Sequence, residues 1–183
     1  MRIEVEQKFA VADMASLREQ LSAFGAIFQE PELQVDCYFR HPTRDFSLTD
    51  EALRLRRVGP ANWLTYKGPK LDAKTKTRRE IELSFEPGEQ SAASAGELLQ
   101  ALGFSEVAEV RKHRIHSKLR WHDCEVGLAL DSIAELGDFV ELEIIAESEA
   151  VAGASEILTT LATHLKLKNC ERRSYLELLL ARR

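Results

Sequence analysis

The sequence predicts an α+β fold, an eight-stranded antiparallel, closed or nearly closed β-barrel with helices packed outside it. Three observations predict this. Short segments of strand period are separated by turn residues, and helical periods are confined to a few stretches between and after them. The chain also lacks the parallel β-α-β alternation and the Gly-rich first turn of a doubly wound nucleotide-binding sheet.

The elements follow in order. From Ile3 to Val11 the chain alternates, with Ile3, Val5 and Gln7 on one side and Glu4, Glu6 and Lys8 on the other. Asp13 can cap a helix over 14–24 that carries Leu17, Leu21 and Phe24 at helical spacing, and Gly25 is placed to end it. Strands are predicted over 34–40, 52–58, 63–67 and 79–85, punctuated by Pro42, Gly59-Pro60, Gly68-Pro69 and Pro87-Gly88. Ser94-x-x-Glu97 reads as a capping box opening a second helix with Leu98, Leu99 and Leu102, closed by Gly103 and Phe104. Leu21-Ser-Ala-Phe-Gly25 and Leu99-Gln-Ala-Leu-Gly103 end their helices alike, a weak twofold repeat. Strands over 110–119, 124–132 and 139–146 follow, then helices over 149–165 and 173–181. Leu158, Leu161 and Leu165, and Leu176, Leu179 and Leu180, have the spacing of faces that pack on a barrel wall or serve a homodimer, so monomer and homodimer both stand.

With 183 residues, 44% of them hydrophobic, the chain suffices for a single domain over 1–183 with its own core. No stretch approaches the roughly 18 apolar residues of a membrane span, and Met-Arg-Ile-Glu does not open a secretory leader, so a cytoplasmic location is expected. Cys37, Cys124 and Cys170 have no close spacing and read as reduced, partly buried thiols. His113, His116 and His122 make no zinc pattern, because residues three apart on a strand point opposite ways. A net charge of −5 gives no general attraction to nucleic acid or to an anionic membrane, and neither partner is expected. The basic run from Lys74 to Arg79 reads as a solvated loop.

The informative pattern is in the charges. Glu4, Glu6 and Lys8, Arg54 and Arg56, Glu80 and Glu82, Lys112 and Arg114, and Glu141 and Glu143 are spaced two apart, so each set leaves one face of its strand. Lys67 and Asp131 add single charges. The opposite faces are apolar, as in Leu53 and Leu55, Ile81 and Leu83, or Val140, Leu142 and Ile144. One such strand would simply face water. The recurrence of paired acids and paired bases points instead to a charged interior, which is costly without a ligand. Arginine and lysine suit phosphate oxygens, and clustered carboxylates suit hard divalent cations, so a polyphosphate carrying Mg²⁺ would satisfy both sets.

Glu4-Val-Glu6-Gln-Lys8 resembles the Glu-x-Glu-x-Lys signature of the CYTH proteins, the triphosphate tunnel metalloenzymes. The later blocks Leu53-Arg54-Leu-Arg56, Thr65-Tyr-Lys67-Gly-Pro69, Arg79-Glu80-Ile-Glu82, Lys112-x-Arg114, Leu130-Asp131, Gly137-Asp-Phe139-Val-Glu141-Leu-Glu143 and Arg173-Ser-Tyr175 resemble that family's motifs in the same order. The resemblance implies a catalytic signature in Glu4, Glu6 and Lys8. It implies triphosphate binding by Lys8, Arg54, Arg56, Lys67, Lys112 and Arg114, and binding of Mg²⁺ or Mn²⁺ by Glu4, Glu6, Asp131, Glu141 and Glu143. For Glu80 and Glu82 it leaves metal contact and salt bridges to the bases both open. Within the family the chain looks most like class IV adenylyl cyclases, which convert ATP to cyclic AMP and pyrophosphate. The alternatives are hydrolysis of tripolyphosphate or thiamine triphosphate, and non-catalytic sensing of a polyphosphate or nucleotide.

Overall fold

The computed structural model describes residues 2–70 and 78–182. They form two compact units, one from Met1–Pro31 with His113–Ser174 and one from Glu32–Lys112 with Tyr175–Arg183.

In the first unit, β1 (Arg2–Val11) pairs antiparallel with β9 (Gly137–Glu147), β9 with β8 (Cys124–Ile133), and β8 with β7 (Ser105–Trp121). A two-residue strand, β2 (Ile27–Phe28), adds to β7. One face of this sheet is apolar. Phe9, Leu119, Val126, Leu128, Leu130, Val140, Leu142 and Ile144 form a core with Leu17 and Leu21 of α1 (Met14–Ala23) and Leu158 and Leu161 of α4 (Val151–His164). Residues with even numbers on β8 and β9 therefore meet the helices, and the odd ones leave the other side.

The second unit has the hydrogen-bonded order β7-β3-β4-β5-β6, with β3 (Glu32–Arg40), β4 (Ala52–Val58), β5 (Ala61–Lys70) and β6 (Arg78–Phe85) joined as antiparallel neighbours. Phe39, Leu53 and Leu55 pack with Phe46 of the short α2 (Phe46–Thr49) and with Ala92 and Leu99 of α3 (Glu89–Ala101). The last helix, α5 (Tyr175–Leu180), buries Tyr175, Leu178 and Leu179.

The α+β class, the eight long antiparallel strands and the helices on the apolar faces are as expected. Asp13 caps α1 by accepting from the Ser16 amide at 3.0 Å. Gly25 and Gly103, with φ of 83° and 90°, end α1 and α3 in the left-handed region that glycine tolerates.

Other details differ. α3 begins at Glu89, so Ser94-x-x-Glu97 lies inside it. The start is fixed from outside, since the buried Asn62 side chain donates to the Glu86 and Gly88 carbonyls at 2.9 Å and the Gly88 amide donates to Pro60. Ile81 and Leu83 are on the apolar side of β6, the last strand of the order, but are 40% and 60% exposed. In α5, Leu178 takes the buried place expected of Leu180, which is exposed. Cys37 and Cys124 are half-buried as expected, whereas Cys170 is exposed. Of the basic run predicted to be a solvated loop, Lys74 and Lys76 lie outside the described residues, while Arg78 and Arg79 open β6.

Candidate active site

The cross-strand register of the first unit places the predicted charges side by side. Glu6 faces Glu143, Lys8 faces Glu141, and Arg114 faces Asp131. All three pairs are on the sheet face opposite the helices, as are Glu4, opposite Ile145, and the small residues Gly127 and Ala129. Arg114 is the hub. Its Nε and Nη2 donate to the two carboxylate oxygens of Asp131 at 2.6 and 2.5 Å, and Nη2 also donates to Glu141 at 2.5 Å. Asp131 is fully buried.

Glu143 lies flat over Gly127. A Cβ added there would stand 2.6 Å from its Cγ and Oε1. Burial, together with the neighbouring Glu6 and Glu141 carboxylates, raises its pKa above the ordinary range, while Arg114 opposes the rise. Negative charge is thus concentrated where a cation would relieve it. Lys8 is 3% exposed, and its carbonyl accepts from the Glu171 amide at 2.7 Å. Glu171 is gripped by Arg173 at 2.7 and 3.0 Å, which lowers its pKa to about 2.

The second unit repeats the arrangement with different residues. Arg56 faces Asp36 across β3 and β4, and its Nε and Nη2 donate to the two Asp36 oxygens at 2.6 and 2.7 Å. Nη1 of Arg54 is 3.8 Å from the same carboxylate. Burial disfavours charge on Asp36, but Arg56, Arg54 and Lys112 outweigh it and hold the carboxyl below its ordinary range. Lys112 is 3% exposed, with its ammonium 5.2 Å from the centre of the Tyr175 ring. Arg54 is 9% exposed, and among the described residues its Nε has no hydrogen-bond partner.

The same sheet face carries Thr65, Lys67, Glu80 and Glu82. Lys67 bonds Glu80 at 2.7 Å, and the Thr65 hydroxyl donates to Glu82 at 3.0 Å. Glu80 is thus salt-bridged to a predicted base, whereas Glu82 accepts from a hydroxyl.

Each predicted base and acid is therefore on the charged face of its own unit. Sequence reasoning missed Asp36, Gly127 and Glu171. For Asp36 a signal was present, since Gln34, Asp36 and Tyr38 share the two-residue spacing of the charged strands.

The carboxylates are hard oxygen donors of the kind that hold Mg²⁺ or Mn²⁺. Among the described residues no three acids, histidines or cysteines already stand grouped around a common point. Glu6, Glu141 and Glu143 adjoin on neighbouring strands, on one sheet face. The donor set fits a divalent cation.

Both units thus present antiparallel strands with one face backed by helices and the other carrying paired bases and acids. The chain belongs to the CYTH domain family, whose model matches residues 2–175. A Methanocaldococcus jannaschii protein provisionally named adenylate cyclase is 39% identical over 182 residues, covering 96% of this chain and 98% of its own. The Aeromonas hydrophila adenylate cyclase CyaB is 28% identical over 182 residues, covering 95% and 87%. The solved structure of the PH1819 protein of Pyrococcus horikoshii is 40% identical with a TM-score of 0.81, covering 99% and 100%. A Hippeastrum protein described as having a dominant triphosphatase activity shares the fold at 19% identity and a TM-score of 0.68, covering 100% and 97%.

Proposed function

We propose that the chain is a Mg²⁺- or Mn²⁺-dependent enzyme acting on a triphosphate, with ATP cyclisation to cyclic AMP and pyrophosphate as the reaction. The observation that carries this is Arg54. A guanidinium nine-tenths buried, with an N–H that meets no acceptor among the described residues, is unfavourable until an acceptor reaches it, and phosphate oxygens are suited to the task. Lys8 and Arg114 of the first unit, and Arg54, Arg56, Lys67 and Lys112 of the second, are the bases proposed for phosphate oxygens. Glu4, Glu6, Glu141 and Glu143 hold the cation. Asp131 belongs with Arg114, since that guanidinium occupies both its oxygens.

Bound by those glutamates, the cation supplies charge neutralisation and Lewis acidity. The chain's own contribution is positioning and preorganised positive charge. In cyclisation the ribose 3′-hydroxyl oxygen bonds to the α-phosphorus and gives up its proton to water, the bond from that phosphorus to the bridging oxygen breaks, and the bases stabilise the departing pyrophosphate. The names of the Methanocaldococcus and Aeromonas relatives support this reaction. Hydrolysis of the terminal phosphate is the second reading, because the Hippeastrum protein carries that activity on the same fold.

Glu141→Gln removes one charge from the cation-binding set at nearly constant volume. Turnover of ATP at saturating Mg²⁺ is expected to fall by about 100-fold or more. Full Mg²⁺-dependent turnover by this variant would contradict the assignment.

A further inference from the structure

We propose that Asp36 is a positioning residue that holds Arg56, and with it Arg54, in the orientation that receives the phosphate chain; this rests on the triphosphate reading above. Asp36 is in register with Arg56, and its two oxygens take the Nε and Nη2 edge of that guanidinium at 2.6 and 2.7 Å. A bidentate fork fixes the plane of an arginine as well as its position, and the opposite edge, with Nη1, then points away from the aspartate. The exposures agree with that direction. The Asp36 side chain is 3% exposed and that of Arg56 is 18%, so the carboxylate is behind the arginine and the arginine is the group a ligand meets. Arg54 leans on the same carboxylate at 3.8 Å, so one buried charge serves two bases.

Energetics favour a geometric role. A buried ion pair adds little stability beyond what apolar residues of the same size would give, because desolvation cancels most of the attraction. The arrangement nonetheless occurs twice, on different strands. Asp131 grips Arg114 with the same two guanidinium nitrogens at 2.6 and 2.5 Å, and again the aspartate, 0% exposed, is deeper than the arginine at 12%. In both units an aspartate out of reach of solvent aims an arginine that is within it.

The test compares the wild-type chain, Asp36→Asn, Arg56→Ala and the double variant for binding of inorganic tripolyphosphate by titration calorimetry. The ¹⁵N resonance of the Arg56 Nε–H is followed without ligand. Asp36→Asn is expected to weaken binding about tenfold, as loss of a charged hydrogen-bond pair would. The Arg56 Nε–H is expected to exchange slowly with solvent in the wild type and rapidly in Asp36→Asn. In the Arg56→Ala background the same change is expected to cost about threefold or less, because the main partner through which Asp36 acts is gone and only Arg54, at 3.8 Å, remains. An equal loss in both backgrounds, or binding within about twofold of wild type by Asp36→Asn, would overturn the positioning role. Should Asp36→Asn fail to fold, Asp36→Glu, which keeps the charge but displaces the fork, carries the same expectation and the same contrary result. No tripolyphosphate binding by the wild-type chain would instead overturn the triphosphate reading, and this proposal with it.

Discussion

Glu143 can lie across the sheet only because residue 127 has no side chain. Its Cγ and Oε1 occupy the place of a Cβ at 2.6 Å, and Gly127 is its direct partner in the register. Gly127→Ala therefore leaves the strand intact and pushes the carboxylate off its resting place. The expected result is an Mg²⁺ requirement raised about tenfold, the size seen when a residue that orients a ligand is altered, with the melting temperature little changed. An unchanged Mg²⁺ titration would show that Glu143 has no orienting need of Gly127. At this scale the sequence reveals charged residues better than it reveals their supports. Arg54, Arg56 and Arg114 stand out by two-residue spacing, whereas Asp36 reads as one more polar strand residue. Its burial depends on Arg56, which is twenty positions away in the chain and becomes its neighbour only through the pairing of β3 with β4. Gly127 is still less legible, because its value lies in what a different strand places over it.

Among the elements, three helices end in the same way. After α1 the Gly25 amide donates to Ser22 at 2.9 Å and the Ala26 amide to Leu21 at 3.1 Å; after α3, Gly103 donates to Gln100 at 2.9 Å and Phe104 to Leu99 at 3.0 Å. These are the paired bonds of a Schellman ending. After α4, Lys166 donates to Thr163 at 3.0 Å and Leu167 to Ala162 at 2.9 Å, but the left-handed position, with φ of 57°, is a lysine. Lys166→Gly removes the Cβ conflict there, partly offset by the extra freedom of glycine in the unfolded chain. It is expected to stabilise the fold by about 0.5–1 kcal/mol. Thermal unfolding should show a melting point higher by roughly 1–4 °C. A lower melting point would mean that the Lys166 side chain makes a contact worth more than its strain. Element types were legible because periodicity is local, and the glycine endings were legible because their chemistry is local too. The start of α3 was not. Asn62, a neighbour only in space, fixes it, and so a plausible capping box five residues later goes unused.

On the scale of the whole molecule, both units obey one rule. In each unit the strands give one face to helices, and on the other face a buried aspartate holds an arginine. The α+β class was legible from strand periods and turn residues, and the candidate residues from charges recurring on strand after strand. Net charge, at −5, concealed the clusters, because local charge and total charge are independent quantities. The exposure of Ile81 and Leu83 also lay beyond sequence reasoning, since alternation shows which residues share a face and is silent on what covers that face. The most direct test of triphosphate chemistry is phosphorus NMR of the products after the pure protein is incubated with Mg²⁺ or Mn²⁺ and, in separate samples, ATP, tripolyphosphate and thiamine triphosphate. Cyclic AMP with pyrophosphate from ATP is the predicted result, and orthophosphate without cyclic AMP would move the assignment to hydrolysis. If all three substrates survive unchanged, the chain is not an enzyme of triphosphates and the central claim is wrong.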